Sequence, residues 1–507
     1  LTWSFKNILK VPAFSDEIHQ LAKSITAREA GYFSTWLIQL KTPLAKPYKK
    51  LLDLMRKQDE YNEKLLLKQV RHKKITTNFS YHKSILTGLL IDSLVSFNAA
   101  ASTEHKINHL LESSSILYDR SLFNQAMKML DKARKEAQHY QKFYLLLQIC
   151  ENERKLLKQQ MPKDLKKALE VNNEEKKSIW KTIETDEVYT NFNDIVFAVY
   201  VQHNRIKNNN FPPELSAIMQ HQFLQNPAIA QTFDSKLKYH HIHALYAQLT
   251  GNFALALEHR EAMGRLWNNH PHMISEMPVR YRFDLSGLLS MRHENSQYQG
   301  FEELIADIEN VKVSGNAQDD AGIFREVYYL RQLYLLNNNK WQQALELIPK
   351  LEQGLVKHET AIGESSRYSF WYNIAVTYFI TGNYKACLPW VQKLTEISRK
   401  STVRTDLRDF AGILHVILNY ETGKHDLVEY QLQNAKKRLK LNNKLYEFEN
   451  IVLQILRKFL SAENNANKLR EISRQFLAQL EQLSHRLGKQ SLLGLDEVII
   501  WAQQKAA

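Results

Sequence analysis

Histidine is the residue type that brings this sequence nearest to site chemistry. His240, His241 and His243 stand together, His259 follows, and His270 and His272 come soon after. Imidazoles on facing helices can hold zinc, but helical zinc pairs are usually spaced i, i+4, and no two of these six have that spacing. No cysteine lies nearby, and Glu258 and Glu261 are the acidic neighbours. Satisfied or exposed histidines are the expectation, and no metal. The sequence contains no HExxH, GxSxG or CxxC, and neither GxxxxGK[ST] nor GxGxxG, the loops that cradle phosphates. Its carboxylates alternate with lysines at helical spacing, as in Glu174-Glu-Lys-Lys177 and Glu151-Asn-Glu-Arg-Lys155, the pattern of solvated ion pairs. No catalytic residue, cofactor or enzyme activity is expected.

The elements that carry these residues are helices. The 507 residues include only 15 Gly and 11 Pro, where average usage would give roughly 35 and 25. Apolar residues make up 44%, which excludes a disordered chain. The two cysteines, Cys150 and Cys387, lie far apart in apolar helical patterns. They read as buried thiols in a reducing compartment rather than a disulfide framework. No stretch is long and apolar enough for a membrane span. The first residues, Leu1-Thr-Trp-Ser-Phe-Lys6, carry no secretory h-region, though they lack an initiator Met. A soluble, cytoplasmic protein is expected.

One turn recurs: a residue tolerant of left-handed backbone, a spacer, then an aromatic or His. It falls at Ser121, Gly251, Ser296, Asn339, Gly382 and Gly423, separated by 130, 45, 43, 43 and 41 residues. The gap of 130 is close to three units, so two degenerate units are expected inside it. After each turn comes Phe123, Phe253, Tyr298, Trp341, Tyr384 or His425. Three residues later stand Ala126, Ala256, Phe301, Ala344, Cys387 and Val428. Four and seven further on come Leu130/Ala133, Arg260/Met263, Ile305/Ile308, Ile348/Leu351, Val391/Leu394 and Leu432/Ala435. This is one face of a helix, with Arg260 the only break. A single hairpin cannot bury that face, so hairpins must stack.

The segment Trp371-Tyr-Asn-Ile374-Ala375-Val-Thr-Tyr378-Phe-Ile-Thr-Gly382-Asn-Tyr384-Lys-Ala-Cys387 resembles a tetratricopeptide (TPR) repeat, with Ile and Cys in place of the usual Leu and Ala. The period, about 43 residues rather than roughly 34, departs from that family. The resemblance covers residues 105–440. It implies an all-α fold, a right-handed α-solenoid of TPR-like hairpins. Three segments follow: a basic helical domain over 1–100, the array over 101–440, and capping helices over 441–507. The order of helices before the array is similar to uncharacterised cytoplasmic TPR-like proteins of Bacteroidota.

The resemblance also implies a partner. Chaperone-binding TPR domains clamp a C-terminal carboxylate with Lys, Asn and Arg on three successive first helices. Here Asn373 alone matches; Tyr329, Leu333, Phe410 and Leu414 stand at the other positions. By the same resemblance Tyr329, Leu333, Tyr372, Val376, Phe379, Ile413, Ile417 and Tyr420 line the concave side. Two arrangements follow: a groove for a partner's amphipathic helix or extended apolar peptide, or a groove filled by the chain's own long helices, for instance residues 464–489. The leading expectation is a non-catalytic scaffold for a protein or peptide.

The alternative is a nucleic-acid-associated regulator. Net charge is +14, and residues 1–75 hold 15 Lys/Arg against 7 Asp/Glu. The run Lys436-Lys-Arg-Leu-Lys440 adds to it, although it falls where cations complement a helix C-terminus. The phrase Ile25-Thr-Ala-Arg-Glu-Ala30 resembles the opening of a LuxR-type helix-turn-helix, but the turn and recognition helix are missing after Phe33.

Overall fold

The computed structural model describes residues 17–41, 43–99, 102–203, 213–311, 317–397, 403–441, 447–462, 465–487 and 492–506. The opening residues Leu1–Lys6 and the side chains of residues 438–440 lie outside that description. Among the described residues the protein is all-helical, with no strand. It begins with α1 (Glu17–Ser24), α2 (Ala27–Gln39), α3 (Ala45–Lys57), α4 (Glu63–Val70), α5 (Lys73–Thr77) and α6 (Phe79–Ala99). There follow α7 (Thr103–Asp119), α8 (Phe123–His139), α9 (Phe143–Gln160) and the long α10 (Leu165–His203). Next are α11 (Pro213–Gln220), α12 (Gln222–Gln225), α13 (Phe233–Leu249), α14 (Phe253–Asn269), α15 (Pro271–Glu276) and α16 (Pro278–Glu294). The remainder holds α17 (Phe301–Asn310), α18 (Ala317–Asn337), α19 (Trp341–Lys357), α20 (Glu364–Ile380), α21 (Tyr384–Thr395) and α22 (Thr405–Glu421). The last four are α23 (His425–Leu441), α24 (Glu447–Ser461), α25 (Ala466–Leu487) and α26 (Leu495–Ala506).

Two compact units divide the chain. The first comprises residues 1–299 and 310–319, the second 300–309 and 320–507. Residues 441–507 therefore share one unit with the hairpins from residue 320 onward. Within the first unit α7 packs on α8, α8 on α9, α9 on α10, α10 on α13, α13 on α14 and α14 on α16. Within the second, each helix from α19 packs on the next, through to α26.

All six expected turn residues adopt left-handed backbone: Ser121 (φ 62°), Gly251 (76°), Ser296 (56°), Asn339 (55°), Gly382 (73°) and Gly423 (71°). Each ends its helix with the paired hydrogen bonds of a Schellman motif. At Gly382 the amide donates to Phe379 O at 3.1 Å, and Asn383 N–H donates to Tyr378 O at 2.8 Å. The same pair closes Ser121, where Ser121 N–H reaches Tyr118 O and Leu122 N–H reaches Leu117 O. Every position expected on the buried helix face is buried, Arg260 included.

One hinge escaped the pattern. Gln141 is also left-handed (φ 53°) and is closed by the same two bonds, from Gln141 N–H to Gln138 O and from Lys142 N–H to Ala137 O. Most of the unit conforms, with Phe143 after the turn and Leu146 and Cys150 buried, while the last face position is the half-buried Glu153. A bulky Gln occupies this turn because its Oε1 accepts the Phe233 amide at 2.8 Å, capping the first turn of α13.

The N-terminal helices have their own core around Phe33, Leu37, Tyr48, Leu51, Met55 and Leu66. A Thr26–Glu29 capping box opens α2 in both directions: Thr26 N–H donates to Glu29 Oε2, and Glu29 N–H to Thr26 Oγ1. The backbone of residues 436–440 lies in the last turn and a half of α23.

Candidate binding site

The second unit fills the face on which the sequence placed a groove. Of the eight expected lining residues, Tyr372, Val376, Phe379, Ile413 and Ile417 are buried, and Tyr329, Leu333 and Tyr420 are half-buried. They are not an open groove in this structure. The cover is α26, which packs on α20. Trp501, 1% exposed, meets the rings of Phe379, Phe459 and Phe476. Tyr420 stacks on Phe459 of α24. Residues 466–487 contribute to the same core through Phe476, but the helix directly over the expected groove is the one after it.

Polar contacts key α26 to one register. Tyr372 Oη donates to Glu497 Oε1 at 2.8 Å, and Gln504 Nε2 donates to Ile380 O at 2.8 Å. Glu421 accepts from Trp501 Nε1 at 2.8 Å through one oxygen and from Lys505 Nζ at 2.7 Å through the other. The chain enters α26 through Gly494 (φ 87°), where a Cβ would stand 2.0 Å from the Phe410 ring. Only glycine fits that close approach.

Burial pushes the Glu497 carboxyl above its ordinary range, with the nearby Asp496 adding to the effect, while the Tyr372 hydrogen bond opposes it. A carboxyl whose folded-state pKa is raised contributes stability below its unfolded pKa, and that contribution is lost as pH rises through the folded value. Docking of α26 should therefore weaken from acid toward neutral pH. Glu497→Gln keeps an acceptor for Tyr372 and removes the charge. Its melting temperature should exceed the wild-type value at pH 8 by on the order of 2 °C, with the gap closing at pH 4. A gap independent of pH would show that Glu497 ionisation does not oppose docking.

The first unit holds an open cleft of about 460 Å³. The Gln141 hinge positions its mouth, since Lys142 is the N-cap of α9 and Phe143 and Tyr144 follow. Lys142 bridges Glu104 at 3.0 Å and Glu276 at 2.5 Å. Lys238 pairs with Asp234 at 2.5 Å and donates to Thr190 Oγ1 at 2.7 Å. Asp186 accepts from Thr232 Oγ1 at 2.9 Å, yet burial, reinforced by Asp234, raises its pKa. Tyr144 is exposed and reaches Glu187 at 3.3 Å. In all, five carboxylates (Glu104, Asp186, Glu187, Asp234, Glu276) face two lysines. This acidic cleft was not among the expected sites.

The histidines divide between two faces of the α13–α14 hairpin. His240 and His259 face each other with Nδ1 atoms 3.0 Å apart, and His243 stacks on His259 at 4.8 Å. Burial lowers His240 and His259 to about 4, so both are neutral at pH 7 and one imidazole N–H donates to the other ring. His243 Nε2 is 3.1 Å from Leu224 O, and His272 stacks on His139 at 4.2 Å. His241 points the other way, with Nδ1 at 2.6 Å from Asn193 Oδ1. Among the described residues one group gathers three potential ligands for a cation, a thiol and two carboxylates: Cys150, Glu153 and Glu175. The Arg134 guanidinium lies among them, paired to both carboxylates, and supplies the cation itself. Burial raises the Cys150 thiol to about 11, so it is not a thiolate at neutral pH.

A second, more open cleft of about 790 Å³ lies between α7 and α8 and is basic, with His105, Lys106, His109, Lys132 and Lys135 around Leu110 and Glu136. No Phe, Tyr or Trp lines it, and the imidazoles of His105 and His109 are its aromatic rings. No helix among the described residues is long and apolar enough to cross a membrane. Comparison with family models, curated proteins and solved structures finds no match to this chain.

Proposed function

We propose that this protein is a non-catalytic, cytoplasmic scaffold, a TPR-like α-solenoid with a period of about 43 residues, and that it binds a cationic peptide segment of a protein partner in the acidic cleft. One observation carries the choice of site. In a chain of net charge +14, this cleft is lined by five carboxylates against two lysines. Such a local reversal attracts lysine or arginine side chains and repels acidic competitors. Tyr140, Phe143 and Tyr144 add apolar surface that a peptide can cover at low entropic cost. Stacked hairpins with closed hinges hold these groups in place before the ligand arrives, which limits the ordering cost of binding.

The test is fluorescence anisotropy of a labelled Lys/Arg peptide containing one aromatic residue. Glu187→Lys combined with Tyr144→Ala, both exposed, should weaken binding at least tenfold and leave the melting temperature unchanged. Affinity should also fall on acidification, because burial makes Asp186 take up its proton before an ordinary aspartate does. An unchanged dissociation constant in the double variant would remove the cleft from the reading.

A further inference from the structure

Arg260 stands where the other five units place Leu130, Ile305, Ile348, Val391 and Leu432. It is nonetheless buried, with 4% of its surface exposed. Space for it comes from Gly287 on α16: a Cβ there would lie 2.7 Å from Arg260 Nη1 and 2.8 Å from its Cζ. Around the guanidinium stand Arg280 and Asp284 of α16, Tyr200 of α10 and His241 of α13, with Glu294 beyond Tyr200. Two guanidinium groups thus share one carboxylate. Asp284 Oδ2 already accepts from Trp267 Nε1 and Arg280 Nε, both at 3.1 Å.

The hydrogen bonds of this cluster do not close. Arg260 Nε and Nη1 and Arg280 Nη2 have no acceptor and His241 Nε2 has no donor, while Asp284 Oδ1 makes no hydrogen bond but lies 3.1 Å from Arg280 Nε in the same ion pair. With His241 Nδ1–H donating to Asn193 Oδ1, the neutral ring leaves Nε2 as an acceptor. A buried cation with unmet donors is destabilising, and an aliphatic residue at position 260 would avoid that cost entirely. We propose that Arg260 and Arg280 form a binding site in the first unit for a hydrogen phosphate group, free or as a phosphomonoester. Its oxygens satisfy the guanidinium donors, and its P–O–H supplies the donor that His241 Nε2 lacks. Sulfate presents the same oxygens without a proton to donate.

Phosphorus NMR of inorganic phosphate titrated with the full chain tests the site. The phosphate line should broaden with wild type at pH 7 and stay sharp with Arg260→Leu, a variant that restores the residue class of the other units. Melting temperature gives a second readout. At matched ionic strength phosphate should raise it about 2 °C beyond sulfate, and Arg260→Leu should erase the difference. Glycerol phosphate competing with the inorganic signal would assign the site to phosphomonoesters; its failure to compete would assign it to free phosphate. No broadening with wild type overturns the proposal whatever the variant does, as does equal stabilisation by phosphate and sulfate. Either result would leave Arg260 a structural charge.

Discussion

Replacing Trp501 by alanine should lower the melting temperature of the second unit by roughly 10 °C and open the face between α20 and α22. Trp501 is 1% exposed and is shared by Phe379, Phe459 and Phe476, so its loss removes a packing centre rather than a peripheral contact. Truncating a buried aromatic of this size costs about 3–5 kcal/mol, and each kilocalorie is worth about 2–4 °C in a unit of this length. The substitution also removes the Trp501 Nε1 donor to Glu421, leaving that carboxylate to Lys505 alone. If α26 detaches, Tyr372, Phe379 and Ile417 become exposed, and an apolar dye such as ANS should bind. Thermal unfolding followed by circular dichroism measures the first effect and dye fluorescence the second. A drop under 3 °C with no dye binding would mean that α26 does not close this face.

Helical repeats announce their hinges in sequence because a left-handed residue is chemically restrictive. Gly382, Gly423 and Asn339 are residues that take that geometry at low cost, and Ser121 and Ser296 are marked by the aromatic two positions later. Gln141 gives no such mark by its residue type, because what stabilises its turn is a bond to Phe233, ninety-two residues away. The same reason explains the expected groove. The apolar stripe through Tyr372, Val376 and Phe379 has one appearance in sequence whether a partner or the chain itself covers it. What decides is where α26 docks, and that depends on Glu497, Trp501 and Lys505 meeting Tyr372, Phe379 and Glu421 across the fold. The acidic cleft draws on α7, α9, α10, α13 and α15, so no local motif marks it. Arg260 was visible as a break in the apolar face; its glycine partner, Gly287, lies on another helix.

Gly354 should show the opposite of what its helical position suggests. In an exposed helix interior, Gly→Ala stabilises by about 1 kcal/mol, because alanine has less backbone freedom to lose. Gly354 lies within α19 but is buried. A Cβ there would stand 1.9 Å from Phe324 Cε2 and 2.3 Å from its Cζ, well inside contact distance. The ring cannot swing aside freely, since Phe324 stacks on Phe370 at 5.5 Å and packs against Tyr328 and His358 at 5.0 and 5.4 Å. The methyl group must therefore push α19 away from α18. Overpacking of this kind costs about 1–3 kcal/mol, which outweighs the propensity gain and should lower the melting temperature by roughly 5 °C. Phe324→Leu supplies the control. Alone it destabilises by shrinking the ring that fills this space; combined with Gly354→Ala, the alanine methyl occupies the room released, so the double variant should lose less than the two single losses added together. Strict additivity would place the origin of the Gly354 effect elsewhere than the Phe324 ring, and a stabilised Gly354→Ala would show that α18 and α19 do not approach this closely.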